Sequence, residues 1–222
     1  MKRRIVQHGS SSLTVTLPIK WVEKFNLKKG DDINLDEAGS QLVISTTKQT
    51  TENKKNINVA YDDIFTKNNL SHLYQLGYDD LEIHFQDPRT LKEIKERISE
   101  CMGFEIIDQK EKYVHIKSIA TTLDTEFDTL LRKSFLITDD MGKSLLEIFK
   151  KNEYEKISEI RSLESLNNKF TDICIRILNK RGYAISNRTM QIYEVVKNIE
   201  RIADQFKYIC DLFLDNKKSI YR

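Results

Sequence analysis

Apolar and polar positions recur with two different periods along this chain, and a polar stretch separates the two. Near the N-terminus Leu13-Thr14-Val15-Thr16-Leu17 alternates with period two. Ile33-Asn34-Leu35 and Leu42-Val43-Ile44 do so over shorter runs, with the turn residues Glu37-Ala38-Gly39-Ser40 between them. Alternation of this kind puts successive side chains on opposite faces of a strand. Pro18 suits the first turn of a helix, and Trp21, Val22 and Phe25 follow at helical spacing up to Asn26. The pattern predicts four short strands and one short helix over residues 1–46. From Thr46 to Asn56 no residue is apolar, which predicts a linker over 47–56.

A mixed pattern then fills residues 57–118. Leu70 to Leu76 reads as a helix stopped by Gly77, and Leu81-Glu82-Ile83-His84-Phe85 as a strand. Asp87-Pro88 starts the next helix, whose apolar face runs through Leu91, Ile94, Ile98 and Met102 before Gly103 ends it. Phe104 to Ile107 and Tyr113 to Ile116 form a hairpin pattern. The expectation is a small α/β domain. It offers no Gly-rich phosphate loop, no metal-ligand spacing and no nucleophile with an evident partner, so it names no function.

The last hundred residues contain no proline, and only Gly142 and Gly182 interrupt apolar positions spaced by three and four. Leu123, Phe127, Leu130, Leu131, Ile137, Met141, Leu145 and Ile148 form one stripe. Ile157, Ile160, Leu163, Leu166, Phe170, Ile173 and Ile177 form a second. The third runs from Ile192 through Val196, Ile199, Ala203, Phe206 and Cys210 to Phe213, and is broad enough to pack on two partners. Lys150-Lys151-Asn152 and Lys180-Arg181-Gly182-Tyr183 supply turns, so residues 119–216 are expected as a three-helix bundle. The fold class is therefore α+β multidomain.

Composition adds limits. Of 222 residues, 39% are hydrophobic and 32% charged, which suits folded cores under a charged surface. No run of about 18 apolar residues occurs and the start is polar, which predicts a cytoplasmic protein with no membrane insertion. Cys101, Cys174 and Cys210 stand far apart among apolar residues, the pattern of buried free thiols rather than a zinc site. The net charge is only +2, yet residues 1 to 55 hold 10 Lys/Arg against 6 Asp/Glu, and the rest hold 26 against 28. The basic excess lies at the N-terminus. No grouping of general acid, base and nucleophile is evident, so an enzyme is not expected.

A strand-helix-strand unit of some 46 residues has too little core to stand alone, so an obligate partner surface is expected. Residues 3 to 45 also resemble the AbrB/SpoVT/MazE family. They have a basic first strand, a Gly9-Ser10-Ser11-Ser12 turn, Leu17-Pro18 with Trp21 three residues on, and Leu27 followed by Gly30-Asp31-Asp32-Ile33. The resemblance implies a dimeric swapped-hairpin barrel that binds DNA, with Lys2, Arg3, Arg4, His8, Ser10, Ser11, Ser12, Thr14 and Lys20 in positions facing the duplex. Arg and Lys there would neutralise phosphates, and Arg would also read guanine edges. The competing reading is that Lys2, Arg3 and Arg4 are a solvated strand end. The helix after Pro18 lacks the arginine common in the family.

Residues 121 to 215 resemble one half-repeat of the PhoU family, through Asn198-Ile199-Glu200-Arg201-Ile202-Ala203-Asp204 and its Glu-x-x-x-Asp spacing. Glu200 and Asp204 stand one helical turn apart, where like charges oppose folding by roughly 0.2–0.5 kcal/mol. The resemblance implies that a divalent or iron metal offsets this, with Glu164 and Asn168 of the middle helix as further ligands, although that helix lacks one carboxylate of the family pattern. Lys197 and Lys207, each three residues from one of the pair, offer ion pairs as an alternative. Together the resemblances imply a homodimeric, DNA-binding transcription regulator linked to phosphate uptake, with DNA and a protein of phosphate signalling as partners. Two other readings stay open: a phosphate-transport signalling adaptor that does not touch DNA, and an antitoxin-like regulator.

Overall fold

The alternating N-terminal segments form two antiparallel hairpins. The computed structural model describes residues 2–38, 41–46, 54–59, 65–120 and 126–220, and the chain divides into two compact units, Met1–Asn53 and Lys54–Arg222. In the first unit β1 (Val6–His8) pairs with β2 (Ser12–Thr14), α1 (Ile19–Lys24) follows, and β3 (Asn34–Ala38) pairs with β4 (Gln41–Ser45). Four strands and one helix are the number that the pattern predicts, but the strand expected over Leu13–Leu17 ends at Thr14. They form two separate two-stranded sheets, so the sheets of one chain do not close into a barrel. No described residue of this unit is buried. Trp21, whose bulk marks it for a core, is only half-buried against Phe25, their rings 5.2 Å apart.

The second unit opens with a four-stranded sheet in the order β5-β6-β8-β7. β5 (Lys54–Asn58) runs parallel to β6 (Asp80–His84), with α2 (Lys67–Gln75) as the crossover. α3 (Arg89–Ile98) leads into the hairpin of β7 (Phe104–Lys110) and β8 (Tyr113–Ser118). The polar stretch expected as a linker thus gives Lys54, Lys55 and Asn56 to a strand, while 47–53 lie outside the described residues. Asp87 starts α3 by accepting the Arg89 N–H at 2.8 Å. The helix ends at Ile98, so Met102 lies past it, packed against the same core. At Gly77, which ends α2 with φ +88°, an added Cβ would stand 2.4 Å from Lys180 Cγ, so both the turn and the close approach require glycine.

Three long helices follow: α4 (Phe127–Lys151), α5 (Ile157–Arg181) and α6 (Thr189–Ile220), each packing on the other two. Asn152 and Gly182 sit at the turns where the sequence places them; Leu123 lies outside the described residues. The sheet and the helices share one core. Leu81, Ile83, Val114 and Ile116 of the sheet, Leu70 and Tyr74 of α2 and Ile94 of α3 meet Ile173, Cys174, Ile177 and Leu178 of α5. A second core holds Met141, Leu145, Ile148, Ile157, Ile160, Ala203 and Cys210. α5 is therefore enclosed on several sides. Leu166, expected in its stripe, is exposed, whereas the neighbouring Asn167 is fully buried and donates to Ser134 O at 3.0 Å and to Thr138 Oγ1 at 2.8 Å.

Arg176 fixes α5 to the αβ layer. Its buried guanidinium donates to Tyr74 O and Tyr78 O, both at 2.7 Å, and to Asp79 at 2.5 Å. It lies about 5 Å from the ring centres of Tyr74 and Phe104. Burying a charge is costly unless its hydrogen bonds are met, and here a carboxylate and two carbonyls meet them.

Candidate nucleic-acid interface and ion-pair cleft

In the N-terminal unit the β1–β2 turn gathers His8, Ser10, Ser11 and Ser12 at one exposed tip. Lys2, Arg3 and Arg4 lead into β1 and are also exposed, as is Lys20 in the first turn of α1. Two of the predicted contact groups already serve the hairpin. The Ser12 hydroxyl donates to His8 O, and that of Thr14 donates to Val6 O at 3.2 Å. Their hydrogens are thus used across the strand pair, while Ser10, Ser11 and the cations are exposed side chains that carry donors. Near them Ile5, Val6, Leu13 and Val15 are exposed, as are Leu35 and Leu42 of the other hairpin.

In the second unit a polar cavity of 670 Å³ opens between α2 and α3 on one side and α5 and α6 on the other. Glu164, Asn168, Glu200 and Asp204 all line it, so the structure brings the four predicted residues together. The Lys207 ammonium lies between two of the carboxylates, 2.9 Å from Glu164 Oε1 and 2.7 Å from Asp204 Oδ1. Burial pulls the Lys207 pKa down, but its hydrogen bonds to Asp204 and Glu164 outweigh this and raise it above the ordinary lysine value. Lys197 pairs with Glu200, and Asn168 donates to Glu164 Oε1 at 2.8 Å. Ammonium groups pair with Glu164, Glu200 and Asp204 here, so ion pairs meet the charge that the resemblance assigns to a metal. The lysines at three-residue spacing offset the Glu200–Asp204 repulsion.

Sequence reading missed the other half of this cleft. Arg97 of α3 pairs with Asp172 of α5 at 2.5 Å and with Glu100, and it donates to Ser71 Oγ at 2.6 Å. Gln75 donates to the other Asp172 oxygen at 2.7 Å. Burial raises the Asp172 pKa despite the opposing pull of Arg97. A polar residue on the otherwise apolar face around Ile173 was the one available signal. The three cysteines are free and buried, as expected; burial pushes the thiols of Cys101 and Cys174 up to about 12, which keeps them unreactive.

The fold and these sites define a two-part protein: a β-rich N-terminal unit with a basic, exposed hairpin, and an α+β unit ending in long helices. The comparisons with known proteins give each part its family. Residues 6–52 match the family described as "Antidote-toxin recognition MazE, bacterial antitoxin", and residues 131–213 match the PhoU domain. The chain thus joins a MazE/AbrB-like domain to a PhoU domain. No curated protein and no solved structure matches it. Neither matched family is one of enzymes. Among the described residues no helix is long and apolar enough to cross a membrane.

Proposed function

We propose that this protein is a cytoplasmic homodimeric transcription regulator of phosphate homeostasis, in which the N-terminal unit binds DNA and the helical region senses a signal or docks a protein of phosphate transport. The observation that carries the reading is the N-terminal unit itself. It presents Ile5, Val6, Leu13, Leu35 and Leu42 to solvent, each more than half exposed, and has no buried described residue. A fold of this kind is complete only when a second copy covers those side chains. Interleaving two chains would close the separate hairpins into one barrel and place two basic tips, with Arg3, Arg4 and the Ser10–Ser12 turn, on one particle. Paired tips suit the two-fold symmetry of a palindromic DNA site.

The matched antitoxin description applies to the N-terminal unit alone. Antitoxin tails that wrap toxins are short and poorly patterned, whereas this chain continues into three packed helices, which favours regulation over toxin capture. DNA binding measured across a salt series tests the reading, combined with mapping of bound DNA in cells grown with and without phosphate. The regulator predicts salt-sensitive affinity and phosphate-dependent occupancy. Absence of DNA affinity at low salt would instead favour the signalling adaptor, with the N-terminal unit serving dimerisation alone.

A further inference from the structure

Leu81 and Ile83 of β6, with Val114 and Ile116 of β8, turn to the helices and are fully buried. The alternate residues, Asp80, Glu82 and His84 of β6 and Tyr113, His115 and Lys117 of β8, therefore share the opposite face of the sheet. Register places Glu82 directly across from His115, and Asp80 across from Lys117. On this face the donor atoms of Asp80, Glu82 and His115 all lie within 4.8 Å of one another. The His115 Nε2 is 2.9 Å from Asp80 Oδ1.

These are not solvated surface groups. The side chains of Asp80, Glu82 and His115 are only 10%, 22% and 19% exposed. Acidic residues are disfavoured in strand interiors, yet two stand on one face of an interior strand, where their charges repel. Lys54 lies against them, with Nζ at 2.6 Å from Glu82 and 4.0 Å from Asp80 and its side chain half exposed.

We propose that Asp80, Glu82 and His115 form a binding site for a divalent transition metal, with Lys54 holding the place of the ion in its absence. One imidazole nitrogen and two carboxylate oxygens suit zinc, cobalt or iron(II) rather than magnesium or calcium, which prefer oxygen alone. Three protein ligands leave a coordination position for water or a further ligand. No spacing rule reveals this site in the sequence, because Glu82 and His115 are brought together by strand pairing across 33 positions. On binding, Lys54 leaves Glu82, and His115 presents an unprotonated Nε2 to the metal. The site is separate from the cleft that holds Glu200 and Asp204, and it does not rest on DNA binding.

The test uses the full chain, stripped with a chelator and titrated with cobalt(II) and zinc(II) alone. Wild type is expected to take up one equivalent of cobalt, with visible ligand-field bands and no thiolate charge-transfer band. His115→Ala and Glu82→Gln should each weaken binding by at least about tenfold, the lower range seen for losing even an outer-shell partner of a metal. Lys54→Ala, at a half-exposed position, should tighten it. Glu200→Gln with Asp204→Asn should leave it unchanged. The proposal is overturned if wild type binds neither ion, if Lys54→Ala binds no tighter, or if binding is lost in the Glu200/Asp204 variant and kept in His115→Ala.

Discussion

At the scale of single residues, Arg176 does the most to decide how the second unit is built. Its guanidinium ties Asp79 and the carbonyls that close α2 to the middle of α5. Asp79 also accepts from Lys180 Nζ at 2.7 Å, so replacing Arg176 with alanine removes one of its cations and takes the donor from two carbonyls. A loss of about 3–5 kcal/mol is expected, the range for breaking a buried ion pair. Denaturant unfolding would measure it. Arg176→Lys should recover little, since one ammonium cannot serve three acceptors in the geometry of a planar fork. None of this was legible in the sequence, where Arg176 interrupts a run of isoleucines and its partners lie about a hundred positions away. Asp87 was legible, because Asp-Pro before an apolar helical run is a local signal. The hydrogen bonds from the Arg89 side chain and backbone hold its carboxyl below the usual aspartate value. A folded pKa below the unfolded one means that its contribution to starting α3 is present above the ordinary value. The contribution is lost as pH falls through the lower folded one. Asp87→Asn should therefore flatten the acid limb of the stability curve, and an unchanged limb would show that α3 starts without it.

Among elements, the strands and helices that follow a local pattern were readable, and those that depend on distant partners were not. The two N-terminal hairpins and the three long helices have their period and their turn residues in sequence. β5 has Ile57 as its single apolar residue, and what makes it a strand is parallel pairing with β6, 26 positions on. In α5 the expected stripe is displaced because the helix is covered on several sides, so Asn167 goes inward and meets the Ser134–Thr138 turn of α4. Gly142 marks another close approach between helices: a Cβ there would lie 2.9 Å from Phe206 Cζ of α6. Alanine usually gains about 1 kcal/mol over glycine within a helix. Here Gly142→Ala is expected to gain nothing or to lose stability, and Phe206→Leu should restore the gain in a double-mutant cycle. At the cleft, Lys207→Met should destabilise by leaving Glu164 and Asp204 facing each other without a cation. Adding Glu164→Gln and Asp204→Asn should recover most of that loss, as read from thermal unfolding.

For the whole molecule, the proposed function makes the N-terminal unit the element that joins two copies. Sedimentation at micromolar concentration should find a dimer and no folded monomer; a monodisperse monomer with an intact far-UV spectrum would remove the basis for the barrel. Arg3→Ala with Arg4→Ala should keep that dimer while lowering DNA affinity across sequences and flattening its salt dependence, by about 0.9 in the log–log slope for each phosphate that is no longer neutralised. The shared core of the second unit has a different consequence, for anyone who would cut this chain into pieces. A fragment beginning near residue 119, chosen because the PhoU match begins at 131, would strip the αβ layer from α5 and expose Ile173, Cys174, Ile177 and Leu178 to water. Such a piece should be insoluble. A fragment beginning at Lys54 keeps its whole interior and should be obtained as a soluble, cooperatively folding protein, so the natural point of division lies between Asn53 and Lys54 rather than where family resemblance begins.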